Sequence, residues 1–123
     1  KSSINKEYIL NARNLLDNVH ISNNIRDYIL NIIDATRHPE NYGMKSLSQL
    51  LMLGASPRGT IFLAKAAKSK AYISNRDYVI PEDVRFILKD VLRHRIILTY
   101  EAEAEEISKD YILDKIIDSI PTP

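Results

Sequence analysis

Gly54-Ala55-Ser56-Pro57-Arg58-Gly59-Thr60-Ile61-Phe62-Leu63-Ala64-Lys65-Ala66-Ala67 is the stretch on which the fold turns. A tight turn over Gly54-Ala55 runs into Ser56-Pro57. Serine at the N-cap with proline at N1 starts a helix, because proline's fixed φ suits the first turn and its missing N–H is not needed there. Ala64, Ala66, Ala67 and Ala71 keep this helix slim on more than one side, which suits a central element that neighbours approach closely. It stops near Ser74-Asn75, where asparagine can take a left-handed turn.

The same helical spacing of apolar residues extends in both directions. Upstream, Ile9, Ala12, Leu16 and Val19 predict a helix over about Asn5–Asn18. Ser22 is a good N-cap for a second, whose stripe is Ile25, Tyr28, Ile29, Ile32, Ile33 and Thr36. Pro39 ends it, since the residue before proline is pushed out of the helical region. A connector follows over 39–55, in which Leu47, Leu50, Leu51 and Leu53 can pack as a short helical turn. Downstream, Pro81-Glu82-Asp83 starts a helix with acids at the positive end of its dipole. Val84, Ile87, Leu88, Val91 and Leu92 form its buried stripe, and it is expected to run on towards Tyr100. Ser108 caps a last helix carrying Ile112, Leu113, Ile116, Ile117 and Ile120, closed by Pro121. Val19-His20-Ile21 and Tyr78-Val79-Ile80 read as short extended pieces that pair as a tiny ribbon. The expected fold is therefore all-α, a bundle of about five helices with a minimal two-strand ribbon. The acidic stretch Glu101–Glu106 reads as a solvated connection.

The 123 residues fit one domain over 1–123, and a chain of this length can bury roughly two-thirds of its unfolded surface. With 45% hydrophobic and 27% charged residues, the balance is that of an ordinary globular protein rather than a disordered one. Seventeen basic against sixteen acidic side chains leave a net charge of +1, which argues against a nucleic-acid binder. No cysteine occurs, so disulfides, thiolate metal sites and cysteine nucleophiles are excluded. This suits a reducing, cytoplasmic setting. Apolar runs fall far short of the roughly 20 residues that span a bilayer, so no membrane insertion is expected. The start at Lys1 rather than methionine suggests a piece of something longer.

Arg58 is the residue singled out for function. It stands at the second position of its helix, where a positive charge costs about 0.3–1 kcal/mol against the dipole. A local rule broken without evident gain points to function. An arginine beside free helix amides, after the Gly54–Pro57 turn, suits a phosphate or another anion. The plainer account is an exposed arginine paired with a nearby carboxylate. Arg93-His94-Arg95 can likewise contact a nucleotide or a neighbouring subunit. Complementing a helix C-terminus, with salt bridges to Asp90 or Glu101, is the favoured account there. Lys65, Lys68 and Lys70 read as a solvated face. His20, His38 and His94 are scattered, with no zinc pattern. Tyr28, Tyr72, Tyr78 and Tyr100 are expected to pack their rings in the core. The three glycines fit no phosphate-binding loop, and no Gly-x-Ser-x-Gly elbow occurs, so no complete active site is recognisable.

Gly54-Ala55-Ser56-Pro57-Arg58 closely resembles the G-A-S-P-R motif in the lid of MoxR-family AAA+ ATPases. Ala35-Thr36-Arg37 resembles that family's A-T-R, Arg76–Val84 its R-x-Y-V-x-P-E-D-V, and Val91–Ile96 its V-L-R-H-R-[IL], in order along nearly the whole chain. Gly59 stands where the family often has alanine, Ile80 where it often has a threonine cap, and the connector over 42–53 is long. The resemblance implies the helical lid of a larger ATPase, with Arg58 as its sensor-2 arginine and Ser56 and Pro57 beside the nucleotide. It implies ATP as ligand, with Mg²⁺ held by a large domain outside this chain. The implied partners are that domain, neighbouring subunits of a hexameric ring and von Willebrand A-domain proteins, in chaperone-like work. A non-enzymatic, histone-fold-like interaction module is the alternative, since Val79–Val84 also resembles the start of a histone-fold helix. A small helical DNA-binding domain is a further rival, against which the near-zero net charge weighs.

Overall fold

Ser22 caps the first helix of the structure, its hydroxyl accepting the Ile25 N–H at 3.3 Å. The computed structural model describes residues 18–123. The helix expected over about Asn5–Asn18 therefore lies outside the described residues but for Asn18. Helix α1 spans Asn23–Arg37, and its whole predicted stripe from Ile25 to Thr36 is buried. It ends where His38, before Pro39, leaves helical backbone.

The connector holds more structure than its leucines suggested. Two 3₁₀ turns, Pro39–Tyr42 and Lys45–Gln49, are separated by Gly43 in the left-handed region at φ 77°. Strand β1, Leu51–Leu53, follows. Helix α2 spans Arg58–Ile73 and buries Gly59, Leu63, Ala67 and Ala71, so the slim helix does sit centrally between its neighbours. Asn75 takes the left-handed turn expected of it, at φ 64°, and the Arg76 N–H closes the end onto the Ala71 carbonyl at 2.9 Å.

Helix α3 spans Pro81–Leu92 and stops well short of Tyr100. The correction has a physical cause. Ile96 and Leu98 are buried while Ile97 is exposed, a period of two rather than of a helix. Ile97–Leu98 forms strand β2, antiparallel to β1, with Leu51 opposite Leu98 and Leu53 opposite Ile97. The two extended pieces expected to form a ribbon do meet, but only as an isolated parallel bridge between His20 and Tyr78. The acidic stretch is not a plain connection either. Thr99 caps a short helix α4, Tyr100–Ala104, by accepting the Ala102 N–H at 3.1 Å. Ala102 is buried and the glutamates face solvent. Helix α5, Lys109–Ser119, is capped by Ser108 as expected and buries Ile112, Leu113 and Ile116.

Tyr28 is in the core, but the other three tyrosines are not: Tyr72 and Tyr78 are about half exposed and Tyr100 is 84% exposed. Each stands at the margin of an element, and its ring lies over the surface. Lys70 also departs from a simple solvated face, sitting 4.7 Å from the Phe86 ring centre and donating to Ser74.

Ile80 has no side chain that can cap α3, and two other residues replace it. Asp83 accepts the Ile80 N–H at 3.0 Å and takes both ends of the Arg76 guanidinium at 2.7 Å. Asp83 is only 1% exposed. Burial alone would raise its pKa, but the Arg76 and Ile80 hydrogen bonds outweigh it and hold the carboxyl below the usual carboxylate range. A carboxyl depressed in the folded state stabilises the fold above its unfolded pKa, and that contribution is lost as pH falls through the folded value. Asp83→Asn should therefore lower Tm clearly at pH 7, with a deficit that shrinks on acidification below pH ~4, as a Tm series against pH would read. A deficit independent of pH would contradict the ion-pair account.

Candidate functional site

Thr36 and Gly54, eighteen positions apart, meet in the interior. The Thr36 hydroxyl donates to the Ile33 carbonyl at 2.6 Å and accepts the Ala55 N–H at 2.9 Å, both buried. Gly54 lies so close to α1 that a Cβ there would collide with the Thr36 carbonyl and come within 2.8 Å of the Arg37 Cα. The end of α1 and the turn before α2 are thus pinned backbone to backbone. That contact requires glycine for lack of a side chain rather than for an unusual φ.

From this junction Ser56 and Pro57 carry the chain into α2. Pro57 already has helical backbone, with φ −55° and ψ −24°, as expected of proline at N1. The expected serine cap does not form. No side chain closes the start of α2; the Gly59 N–H instead bonds the Ser56 carbonyl at 2.8 Å, in a tight first turn. The Thr60 N–H likewise bonds the Pro57 carbonyl at 3.1 Å, so these first-turn amides are turned to their own backbone. Gly59 is buried, and a Cβ on it would stand 3.0 Å from Ile33 Cδ1. The glycine that looked costly for helix propensity lets α2 approach α1.

Around the junction lies an open cleft of about 490 Å³. Its walls come from three sequence-distant segments: Arg37 and His38 at the end of α1, Met52 to Pro57 from β1 to the start of α2, and His94 and Arg95 after α3. Met52 and Leu53 supply an exposed apolar wall. Ser56 and Pro57 line the cleft, whereas Arg58 is exposed immediately beyond it, as the first residue of α2.

The arginines divide into two groups. Arg76 is bound to Asp83, Arg85 lies 3.5 Å from Glu82, and Arg93 is bound to Asp110 at 2.8 Å and Asp90 at 3.3 Å. The partner of Arg93 across the fold is thus Asp110 and not Glu101. These hydrogen bonds, to Asp110 first and then to Asp90, hold the Arg93 guanidinium above its ordinary pKa. Among the described residues, Arg26, Arg37, Arg58 and Arg95 have no carboxylate at ion-pair distance. Arg37 and Arg95 line the cleft, Arg58 follows its lining residue Pro57, and Arg26 lies at the far end of α1. Sequence reasoning singled out Arg58 and gave no role to Arg37 or His38, although the Ala35-Thr36-Arg37 motif was the available signal. Among the described residues, no group of three or more histidines and carboxylates is placed to hold a metal ion. None of their helices is long and apolar enough to cross a membrane.

Substitutions at the junction separate its two parts. Thr36→Val keeps the shape but strands the Ala55 N–H, and should cost about 1–3 kcal/mol in chemical denaturation. Thr36→Ser should recover most of it. Gly54→Ala should cost as much or more, because backbone cannot yield. Gly59→Ala should be close to neutral, since its Cβ is tight only against the movable end of Ile33, meets Ala55 and Leu92 at ordinary contact distance, and gains helix propensity of up to about 1 kcal/mol.

Residues 46–116 match the family model of the AAA lid domain. Over 115 residues the chain is 37% identical to Chaperone MoxR1 of Mycobacterium tuberculosis, covering 94% of this chain and 30% of that protein. Over 105 residues it is 31% identical to Protein MoxR of Methylorubrum extorquens, covering 80% of this chain and 30% of that one. A crystal structure from Cytophaga hutchinsonii, assigned as an ATPase, superposes with a TM-score of 0.92 at 42% identity, over 96% of this chain and 36% of that one. The chain thus spans about a third of the length of these relatives.

Proposed function

We propose that this chain, which belongs to the AAA lid domain family of MoxR-like ATPases, forms one half of an ATP site and contributes Arg58 to it as a sensor-2 arginine. The observation that carries this reading is that Arg37 and Arg95, without carboxylate partners among the described residues, line a cleft with one apolar wall where three segments meet, with Arg58 next in the chain to its lining residue Pro57. A nucleotide needs both features, an apolar surface for its base and cations for its phosphates. A volume of about 490 Å³ is in the usual range for such ligands.

In this reading the nucleotide is held by a companion large domain, which also supplies the ligands of Mg²⁺. Arg58 reaches out from the start of α2 and stabilises charge on the γ-phosphate as it develops. Ser56 and Pro57 fix the turn from which it reaches. Loss of the γ-phosphate removes the partner of Arg58, and the lid is then free to rotate against the large domain. The rigid tie between Thr36 and Ala55 makes the whole helical body move with that arginine. We extend the reading by family resemblance to a cytoplasmic ring, a hexamer, that does chaperone-like remodelling with von Willebrand A-domain partners. The name of the mycobacterial relative, a chaperone, supports that extension.

The test is ATP hydrolysis by the longer natural protein that carries this chain, wild type against Arg58→Ala. The variant should fold normally by circular dichroism and lose roughly 10²–10³-fold in kcat. Unchanged hydrolysis would remove the role given to Arg58. No hydrolysis by the wild type under ring-forming conditions would favour an interaction module.

A further inference from the structure

The run Arg93-His94-Arg95 contains two arginines with opposite circumstances. Arg93 is committed to the fold, its guanidinium bound between Asp110 and Asp90. Arg95, two residues on, has no carboxylate partner among the described residues, and its guanidinium carbon lies 3.9 Å from the centre of the Phe62 ring. Asp90 lines a neighbouring depression together with Phe62 and Arg95, but is turned to Arg93.

Phe62 stands four residues after Arg58 on α2, so the two share a helix face. Stacking on Phe62 occupies only the flat face of the Arg95 guanidinium. The N–H donors lie in the plane of the group and stay free at its edge. An arginine serving the fold alone would be expected to turn those donors to a carboxylate, as Arg93 does. Here a large aromatic is left partly in solvent and holds a cation beside the cleft. Arg26, the other arginine without a carboxylate partner among the described residues, sits at the opposite end of α1 from Arg37 and away from these cleft-lining positions.

We infer that Arg95 is a second phosphate-contacting residue of the lid, held ready on Phe62 and offering a two-pronged set of donors to the polyphosphate that Arg58 approaches from α2. The inference rests on the reading of the cleft as half of a nucleotide site. It goes further by giving that site a second arginine, from the turn between α3 and β2, and an aromatic support. Two arginines on separate elements would hold the phosphate chain from two sides and lock the lid only when the ligand is long enough to meet both.

The experiment uses the longer natural protein and titrates ATP, inorganic tripolyphosphate and adenosine by calorimetry. Arg95→Gln should weaken ATP and tripolyphosphate by about 10- to 100-fold, the range for hydrogen bonds to a charged group, and leave adenosine unchanged. Phe62→Leu keeps the charge but removes its support, and should weaken the same two ligands by less. Equal loss for all three ligands would mean a distorted cleft and overturn the inference. So would lower Tm in both variants with every affinity unchanged, the sign of a purely structural contact. Arg58→Ala, measured in parallel, separates the two readings. Unchanged hydrolysis there with tripolyphosphate affinity lost in Arg95→Gln would sink the role of Arg58 and keep that of Arg95. A wild type that binds neither ATP nor tripolyphosphate sinks both.

Discussion

The hydrogen bonds of one hydroxyl, that of Thr36, hold the rest of the structure in register. A threonine in the last turn of a helix can bond back to the carbonyl three residues earlier, and Thr36 does so with Ile33. Its oxygen then accepts the Ala55 N–H from a segment that would otherwise bury an unpaired donor. Gly54 completes the contact by having no side chain to keep the backbones apart. The direction of α2, and with it the position of Arg58, follows from this one buried junction.

Around it the packing is divided between apolar faces and a few ion pairs placed where elements end. The small residues of α2 let α1 and α3 close on it from either side, with Gly59 against Ile33 the tightest approach. Arg76 and Asp83 fasten the loop before α3 to its first turn, in place of a side-chain cap that Ile80 cannot provide. Arg93 and Asp110 join the end of α3 to the start of α5. The β1–β2 pairing brings the long connector back to the segment after α3 and so closes the third side of the cleft. Arg76, Arg85, Lys89 and Arg93 are paired with carboxylates, while Arg37 and Arg95 line the cleft without one among the described residues.

An arrangement of this kind suits a half-site. The cleft is open, its apolar wall is in solvent, and its cations have no carboxylate partners among the described residues. In the function proposed above, a nucleotide and the domain that holds it would be brought against this face. The family to which the chain belongs and its share of about a third of its relatives' length accord with that view.

By itself the sequence determined four of the five described helices, most of their ends and the family. Ser22 and Ser108 as caps, Pro39 and Asn75 as stops, and the stripes of α1, α3 and α5 are signals read within one or two turns. They depend on local backbone sterics and on the first and last amides of each helix. The proposal for Arg58 draws on the same kind of signal, since its conflict with the helix dipole is local. Only the tertiary structure decided that α3 ends at Leu92, because Ile97–Leu98 pairs with a strand more than forty positions away that no local pattern reveals. It alone separated Arg93 from Arg95, as the carboxylate that claims Arg93 lies on α5 and the ring that carries Arg95 lies on α2. Whether an arginine belongs to the fold or is free for a ligand depends on what surrounds its guanidinium in space. That is set by contacts between distant segments rather than by its neighbours in the chain.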